Sequence, residues 1–316
     1  MHEIQHIYIS GSIAYDRIMD FPDKFANHII PDKLHILNVC FLVNDLEEKF
    51  GGTAGNIAFS LALLGEKPTI LAAAGSDFDR YERWLEKHGI SVRGIKKVKD
   101  VPTASAYITT DMSDNQITAF NPGAMSHATH NGFSAFEKQS SLAIVSPGNL
   151  EDMQHYPRLY KEQSIPYIFD PGQNIPAFNG EQLKEMIEGS FALIANDYEL
   201  SLISEATGLD KQGLLSLTRA IVTTLGEEGA EIAERDSGEQ RVPAVKVDKP
   251  LDPTGAGDAF RSGLIKGLCQ GKSLLEAARL GATCASFCVE CKGTQAHVFS
   301  QEDFWKRYEA HLQGNA

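Results

Sequence analysis

Asp252-Pro-Thr-Gly255-Ala256-Gly257-Asp258-Ala-Phe260 is the stretch on which the reading of the whole chain turns. Beyond it, Phe260, Leu264 and Leu268 recur every four residues, the spacing of one buried helical stripe. A glycine turn therefore opens a helix. Gly255 and Gly257 let backbone approach a ligand with no Cβ in the way. The first N–H groups of a helix lack partners within it, and with the helix dipole they form a cradle for an anion, most naturally phosphate. A carboxylate inside that positive cradle, Asp258, is electrostatically odd unless it performs chemistry. It can take the proton from an attacking hydroxyl while the amides of Gly255, Ala256 and Gly257 hold the phosphoryl group under attack. The blander reading is a Gly-rich loop with a helix-capping aspartate. Two glycines flanking one small residue, with the acid Asp252 six positions upstream, favour phosphoryl transfer to an alcohol.

Strand and helix patterns alternate through the rest of the chain. Residues 7–11, 69–75, 142–146, 167–170, 191–195 and 220–224 read as short buried strands, and 54–65 and 80–88 as helices. The last long helices start near Ala256, Ser273 and Gln301. This alternation predicts an α/β fold with a doubly wound, mostly parallel sheet flanked by helices. Residues 21–50 lack a clean helical period, and 101–120 alternate like paired strands. They predict a small β-rich lid, drawn from about 12–50 and 99–120, within a single domain covering 1–316. Long surface hairpins without function are the alternative.

At 316 residues, 42% hydrophobic and 22% charged, the chain has an ordinary globular balance. A net charge of −13 argues against coating nucleic acid or an anionic membrane, but a local amide nest can still capture phosphate. No run approaches the roughly 18 apolar residues of a membrane span. The start Met-His-Glu-Ile-Gln-His lacks the basic residues and apolar stretch of a signal peptide, so a cytoplasmic location is expected. Cys284, Cys288 and Cys291 share one helical face without a fourth ligand, which predicts packed thiols rather than a metal site.

Other segments carry candidate chemistry. Asn196-Asp-Tyr-Glu199 follows a strand and suits Mg²⁺ held indirectly, with a helix-capping pair as the equal alternative. Thr224-Leu-Gly226-Glu-Glu-Gly229 would let backbone approach a nucleotide, or form a plain hairpin turn. Gly11-Ser12-Ile-Ala-Tyr-Asp16 supplies a carboxylate and Gly51-Gly52-Thr-Ala-Gly55-Asn56 an amide, a pair suited to vicinal hydroxyls, although each segment could be a turn or cap. No Gly-x-Gly-x-x-Gly follows the first strand, so a dinucleotide oxidoreductase lacks its fingerprint.

Taken in order, the segments at 51–56, 196–199, 224–229 and 252–260 resemble the ribokinase-like (PfkB-type) carbohydrate and nucleoside kinases. Within that family, Gly11-Ser-Ile-Ala-Tyr-Asp16, Phe41-Leu-Val-Asn-Asp-Leu46, Asn121-Pro-Gly-Ala-Met125 and Gly293-Thr-Gln295 are most similar to bacterial adenosine kinases. The resemblance implies ATP- and Mg²⁺-dependent phosphorylation of the 5′-hydroxyl of adenosine, with a sugar or another nucleoside as the alternative acceptor. It implies Asp258 as general base over an anion hole at 255–258. Ser12, Asp16, Asn56 and the backbone of Gly51 and Gly52 would hold the ribose, and Tyr107 and Phe120 would sandwich the purine. Asn196 and Glu199 would organise Mg²⁺ through water. Asn196, Thr224, Gly226 and Gly229 would meet ATP together with Gly255 and Gly257. Asp252 is assigned a monovalent cation such as K⁺, and the lid a homodimer surface, with no nucleic-acid or membrane partner. Two residues depart from the pattern. Pro253 stands where many members have threonine, and Arg261 where a small residue is usual, either neutralising phosphate charge or facing solvent.

Overall fold

Short apolar runs covered on both faces become parallel strands, because no alternate position has to meet water. The computed structural model describes residues 4–314 apart from 37, 114, 130–136 and 236. In chain order its strands are β1 (His6–Ser10), β2 (Ala14–Asp20), β3 (Leu46–Gly51), β4 (Thr69–Ala74), β5 (Ile95–Lys97), β6 (Ala104–Thr110) and β7 (Gln116–Asn121). There follow β8 (Ser141–Val145), β9 (Tyr167–Phe169), β10 (Ala192–Asn196), β11 (Ala220–Thr224), β12 (Ala230–Glu234) and β13 (Gly238–Val242). The α-helices are α1 (Thr53–Leu63), α2 (Asp79–Lys87), α3 (Leu150–Gln163), α4 (Gly180–Ile187) and α5 (Asp197–Thr207). The remainder are α6 (Lys211–Leu217), α7 (Ala256–Cys269), α8 (Leu274–Cys288) and α9 (Gln301–Gly314).

A nine-stranded sheet runs in the order β13-β12-β11-β10-β9-β8-β1-β4-β5. It is parallel from β11 to β5, and β12 and β13 extend it antiparallel. Alternate residues feed two cores: Ile7 and Ile9 of β1 face α1, α2, α7 and α8, while Tyr8 faces α3 to α6. This is the doubly wound architecture expected from the alternation, with Phe260, Leu264 and Leu268 all buried. Cys284 and Cys288 are buried in α8, and Cys291 lies beyond its end; all five cysteines are free thiols. Among the described residues no helix is long and apolar enough to cross a membrane.

From β1 the chain moves outward to β4 and β5, then returns to β8 on the other side of β1. Such a reversal opens a crevice beyond the carboxyl ends of the strands, where ligands bind in open α/β sheets. Over it stands a separate four-stranded sheet, β3-β2-β6-β7. Four short connections join this lid to the body: residues 11–13, Gly52, residues 98–103 and the turn after Asn121. The third is pinned to the loop after β4, with Ser76 N–H donating to Val101 O at 2.9 Å and Thr103 N–H to Asp77 Oδ1 at 2.7 Å.

Candidate active site

Gly255 caps α7 at φ +83°, a left-handed backbone that a side chain would strain, with Thr294 3.0 Å from where a Cβ would sit. The helical ladder begins with Ala259 N–H donating to Gly255 O at 2.9 Å. Ala256 N–H is already taken by Pro253 O at 3.1 Å, so Ala256 is not a donor of the anion cradle as expected. The N–H groups of Gly255, at the cap, and of Gly257 and Asp258, in the first turn, remain for that role.

The Asp258 carboxylate is held from below. Its Oδ2 accepts from Asn56 Nδ2 at 2.8 Å, and Asn56 Oδ1 accepts from Gln295 Nε2 at 3.0 Å. Gln295 Nε2 also donates to the Tyr81 hydroxyl, its Oε1 accepts from Trp84 Nε1 at 3.0 Å, and Tyr81 donates to Gly51 O at 2.9 Å. Burial pushes the Asp258 carboxyl up to about 6, against the pull of Arg261 and Asn56, with Asp170 and Asp16 adding to the rise. A carboxylate poised near neutrality is a competent base. Arg261 does not face solvent: it is buried, its guanidinium paired with both oxygens of buried Asp170 and Nη1 donating to Gly257 O at 3.0 Å.

On the acceptor side, Asp16 is the third residue of β2, and burial pushes its carboxyl up to about 6 while Lys49 opposes the rise. A Cβ on Gly51 would lie 2.4 Å from Asp16 Oδ2, so the glycine keeps the carboxylate's place open. Gly52, at φ +87°, turns the chain from the lid into α1. The Ser12 hydroxyl accepts from Thr53 N–H at 3.0 Å and sits 3.2 Å from Thr53 Oγ1, so it ties the entry of α1.

The lid register corrects the expected purine sandwich. Asp16 is paired with Ala106, and Ala106 with Phe120, so Asp16 and Phe120 share one face of the sheet. Tyr107 is paired with Arg17, one residue out of phase, and lies on the opposite face. There its hydroxyl accepts from Arg17 Nη1 at 2.8 Å, and the guanidinium stands 5.2 Å from its ring centroid. The two rings cannot enclose one base between them; Phe120 alone faces Asp16's side.

Across the cleft, Asn196 and Thr224 are register partners at the carboxyl ends of β10 and β11. Asn196 and Glu199 form the capping pair: Glu199 N–H donates to Asn196 Oδ1 at 2.7 Å and Asn196 N–H to Glu199 Oε2 at 2.9 Å. Glu199 also stands near Asp170 and Arg261, and burial raises its carboxyl. Residues 225–229 close the β11–β12 hairpin, with Leu225 N–H bonded to Gly229 O at 2.8 Å and Gly226 inside the turn. Asp252 accepts from Thr254 N–H at 2.9 Å and Gly293 N–H at 3.1 Å, tying the loop before α7 to residue 293.

Asp258, Asn56, Asp16 and Gly51 thus converge although up to 242 positions separate them in the chain, with Asn196 and Thr224 on the far strands. The sequence reading missed Tyr81, Trp84, Lys49 and Asp170, and used Gln295 only for its resemblance. None carries a local motif, and only the partner across the fold reveals its task. The profile of the pfkB family carbohydrate kinases matches residues 24–300, and the chain belongs to that family, whose members are phosphotransferases with an alcohol acceptor. The nucleoside kinase of Burkholderia thailandensis in complex with inosine superposes with a TM-score of 0.86 at 37% identity, covering 97% of this chain and 98% of the other. The same kinase in complex with ADP-inosine gives 0.84 at 38%, covering 97% and 96%. The nucleoside kinase of Methanocaldococcus jannaschii is 30% identical over 277 residues, 87% of this chain and 90% of its own length.

Proposed function

We propose that this protein transfers the γ-phosphoryl group of ATP to the 5′-hydroxyl of adenosine, giving AMP and ADP. The observation that carries the reading is Asp258, fixed by Asn56 beside the unladdered N–H groups of α7 and within electrostatic reach of Asp16. Asp16 accepts the ribose hydroxyls and Phe120 on the same lid face stacks on the base. Asp258 takes the 5′-hydroxyl proton as the oxygen attacks phosphorus in line, and the ADP oxygen leaves with the bonding pair. The N–H groups of Gly257 and Asp258 stabilise the charge on the migrating group.

Glu199 and Asn196 fit a Mg²⁺ held through water. Among the described residues no three His, Cys, Asp or Glu form a metal cage, and Mg²⁺ is commonly held by one or two carboxylates and the nucleotide's own phosphates. When bound, the ion neutralises charge on the β- and γ-phosphates. A second reading, inosine as acceptor, is favoured by the inosine complex of the similar Burkholderia kinase. The test is turnover of adenosine, inosine, guanosine, cytidine, ribose and fructose with Mg·ATP. Adenosine is expected to give the highest kcat/KM; turnover of a free sugar with no nucleoside turned over overturns the proposal.

A further inference from the structure

Residue 261 holds one peptide from two sides. Helical pairing gives the Gly257 carbonyl to the N–H of residue 261, and the Arg261 guanidinium adds a second donor, Nη1, at 3.0 Å. That carbonyl and the Asp258 N–H are opposite ends of a single planar peptide. Fixing one end therefore aims the other. A Cβ on Gly257 would lie 2.9 Å from Arg261 Nη1, so the second glycine of the turn also makes room for this contact. The guanidinium is itself immobilised. Its Nε and Nη2 donate to the two oxygens of Asp170, which follows β9, and Arg261 and Asp170 are 7% and 2% exposed. A planar fork on a carboxylate is rigid in a way that a lysine would not be.

We infer that Arg261, clamped by Asp170, is a positioning residue for phosphoryl transfer: it fixes the Gly257–Asp258 peptide as an anion-hole donor and sets a permanent positive charge beside the base. This rests on the reading of Asp258 as that base. The charge matters because Asp258 is also faced by Asp170, by Asp16 from the lid, by Tyr81 from α2 and by Cys288 from α8, while Glu199 of α5 faces Arg261. Arg261 is the leading influence that favours the ionised carboxylate, ahead of Asn56 and opposed more weakly by Asp170. Removing both members of the pair therefore raises the Asp258 pKa.

The experiment uses the full chain with Mg·ATP and whichever of adenosine and inosine turns over. The charge-free double variant Arg261→Met/Asp170→Leu avoids leaving one buried charge alone, the change that most damages folding. With folding confirmed by circular dichroism, kcat is expected to fall by about 10- to 100-fold, less than the roughly 10²–10³-fold for outright removal of an oxyanion donor, because the peptide N–H is misaimed and not deleted. The nucleoside KM is expected to change by less than about 3-fold, and the acid limb of kcat/KM to move up by about one pH unit. A folded double variant with wild-type kcat and an unmoved limb overturns the inference. Arg261→Lys is the second arm: it keeps the charge but loses the fork, so the limb stays in place while kcat falls by about 10-fold. Should the double variant not fold, this arm decides, and unchanged kcat in Arg261→Lys overturns the inference. Asp258→Asn separates the two readings. If it retains turnover, the base assignment fails; if it is inactive while the Arg261 variants behave as wild type, only the present inference fails.

Discussion

At the floor of the cleft, Asp258, Asn56, Gln295 and Tyr81 hold one another through a continuous run of hydrogen bonds. On the lid, β7 is exposed along its whole length and Phe120 leaves 48% of its surface open. The groups that do chemistry are thus pre-set by partners in the body, so nothing has to reorganise at the moment of reaction. The groups that meet the base wait for a ligand to cover them. Damage to the floor is expected to appear in kcat and damage to the lid in KM.

The largest expected effect tests the floor. Asp258→Asn should lose about 10²–10⁴ in kcat with nucleoside affinity nearly unchanged, read by steady-state kinetics and calorimetric binding. An equal loss of affinity would erase the distinction between the two regions. Next comes pH. Asp16 and Asp258 both titrate near 6, and both act as carboxylates. As pH falls below 6, log kcat/KM should drop with a slope approaching two, and with a slope of one in Asp16→Asn. The stability sign runs the other way. The folded carboxyls bind protons more tightly than unfolded ones, which titrate near 4, so ionising them costs stability as pH rises from about 4 to 6. Asp258→Asn should therefore melt at a higher temperature than wild type at pH 7, with the gap closing by pH 4, as scanning calorimetry would show.

Phe120→Ala sharpens the lid side. Loss of a stacked base contact, about 1–3 kcal/mol, should raise the nucleoside KM by roughly 5- to 150-fold with kcat little changed. Gln295→Leu should lower kcat by about 10-fold, because Asn56 loses the donor that orients it and leaves a buried acceptor unpaired, a destabilisation of about 1–3 kcal/mol. Tyr107→Ala, on the far face of the lid, should shift KM by less than about 2-fold. A large Tyr107 effect together with a negligible Phe120 effect would invert the assignment of the lid faces.

The layered fold was legible because alternation and helical spacing are local properties: residues 69–75 and 220–224 mark β4 and β11 to within a residue. The turn at 255–258 was legible for the same reason, as a glycine signature next to a stripe. At Asn196 and Glu199 a capping pair and a metal pair share one spacing, and only the resemblance decided for Mg²⁺; the hydrogen bonds show the cap, made through Oε2 of Glu199, which is compatible with an ion held through water. The sandwich of Tyr107 and Phe120 failed on register. Which face a strand residue occupies depends on its partner across the sheet, and a shift of one position exchanges the faces. Gln295 and Tyr81 were illegible because their meaning lies in contacts more than two hundred positions away along the chain. Arg261 was visible as an oddity, but only Asp170 gives it an occupation.

The lid crosses to the body four times, at residues 11–13, Gly52, residues 98–103 and after Asn121. One of those crossings is a single residue: Gly52 alone separates β3 from α1, the helix whose Asn56 bonds Asp258. Lid and floor are spliced there with almost no slack, so residues inserted at that joint would uncouple the lid from the base beneath it.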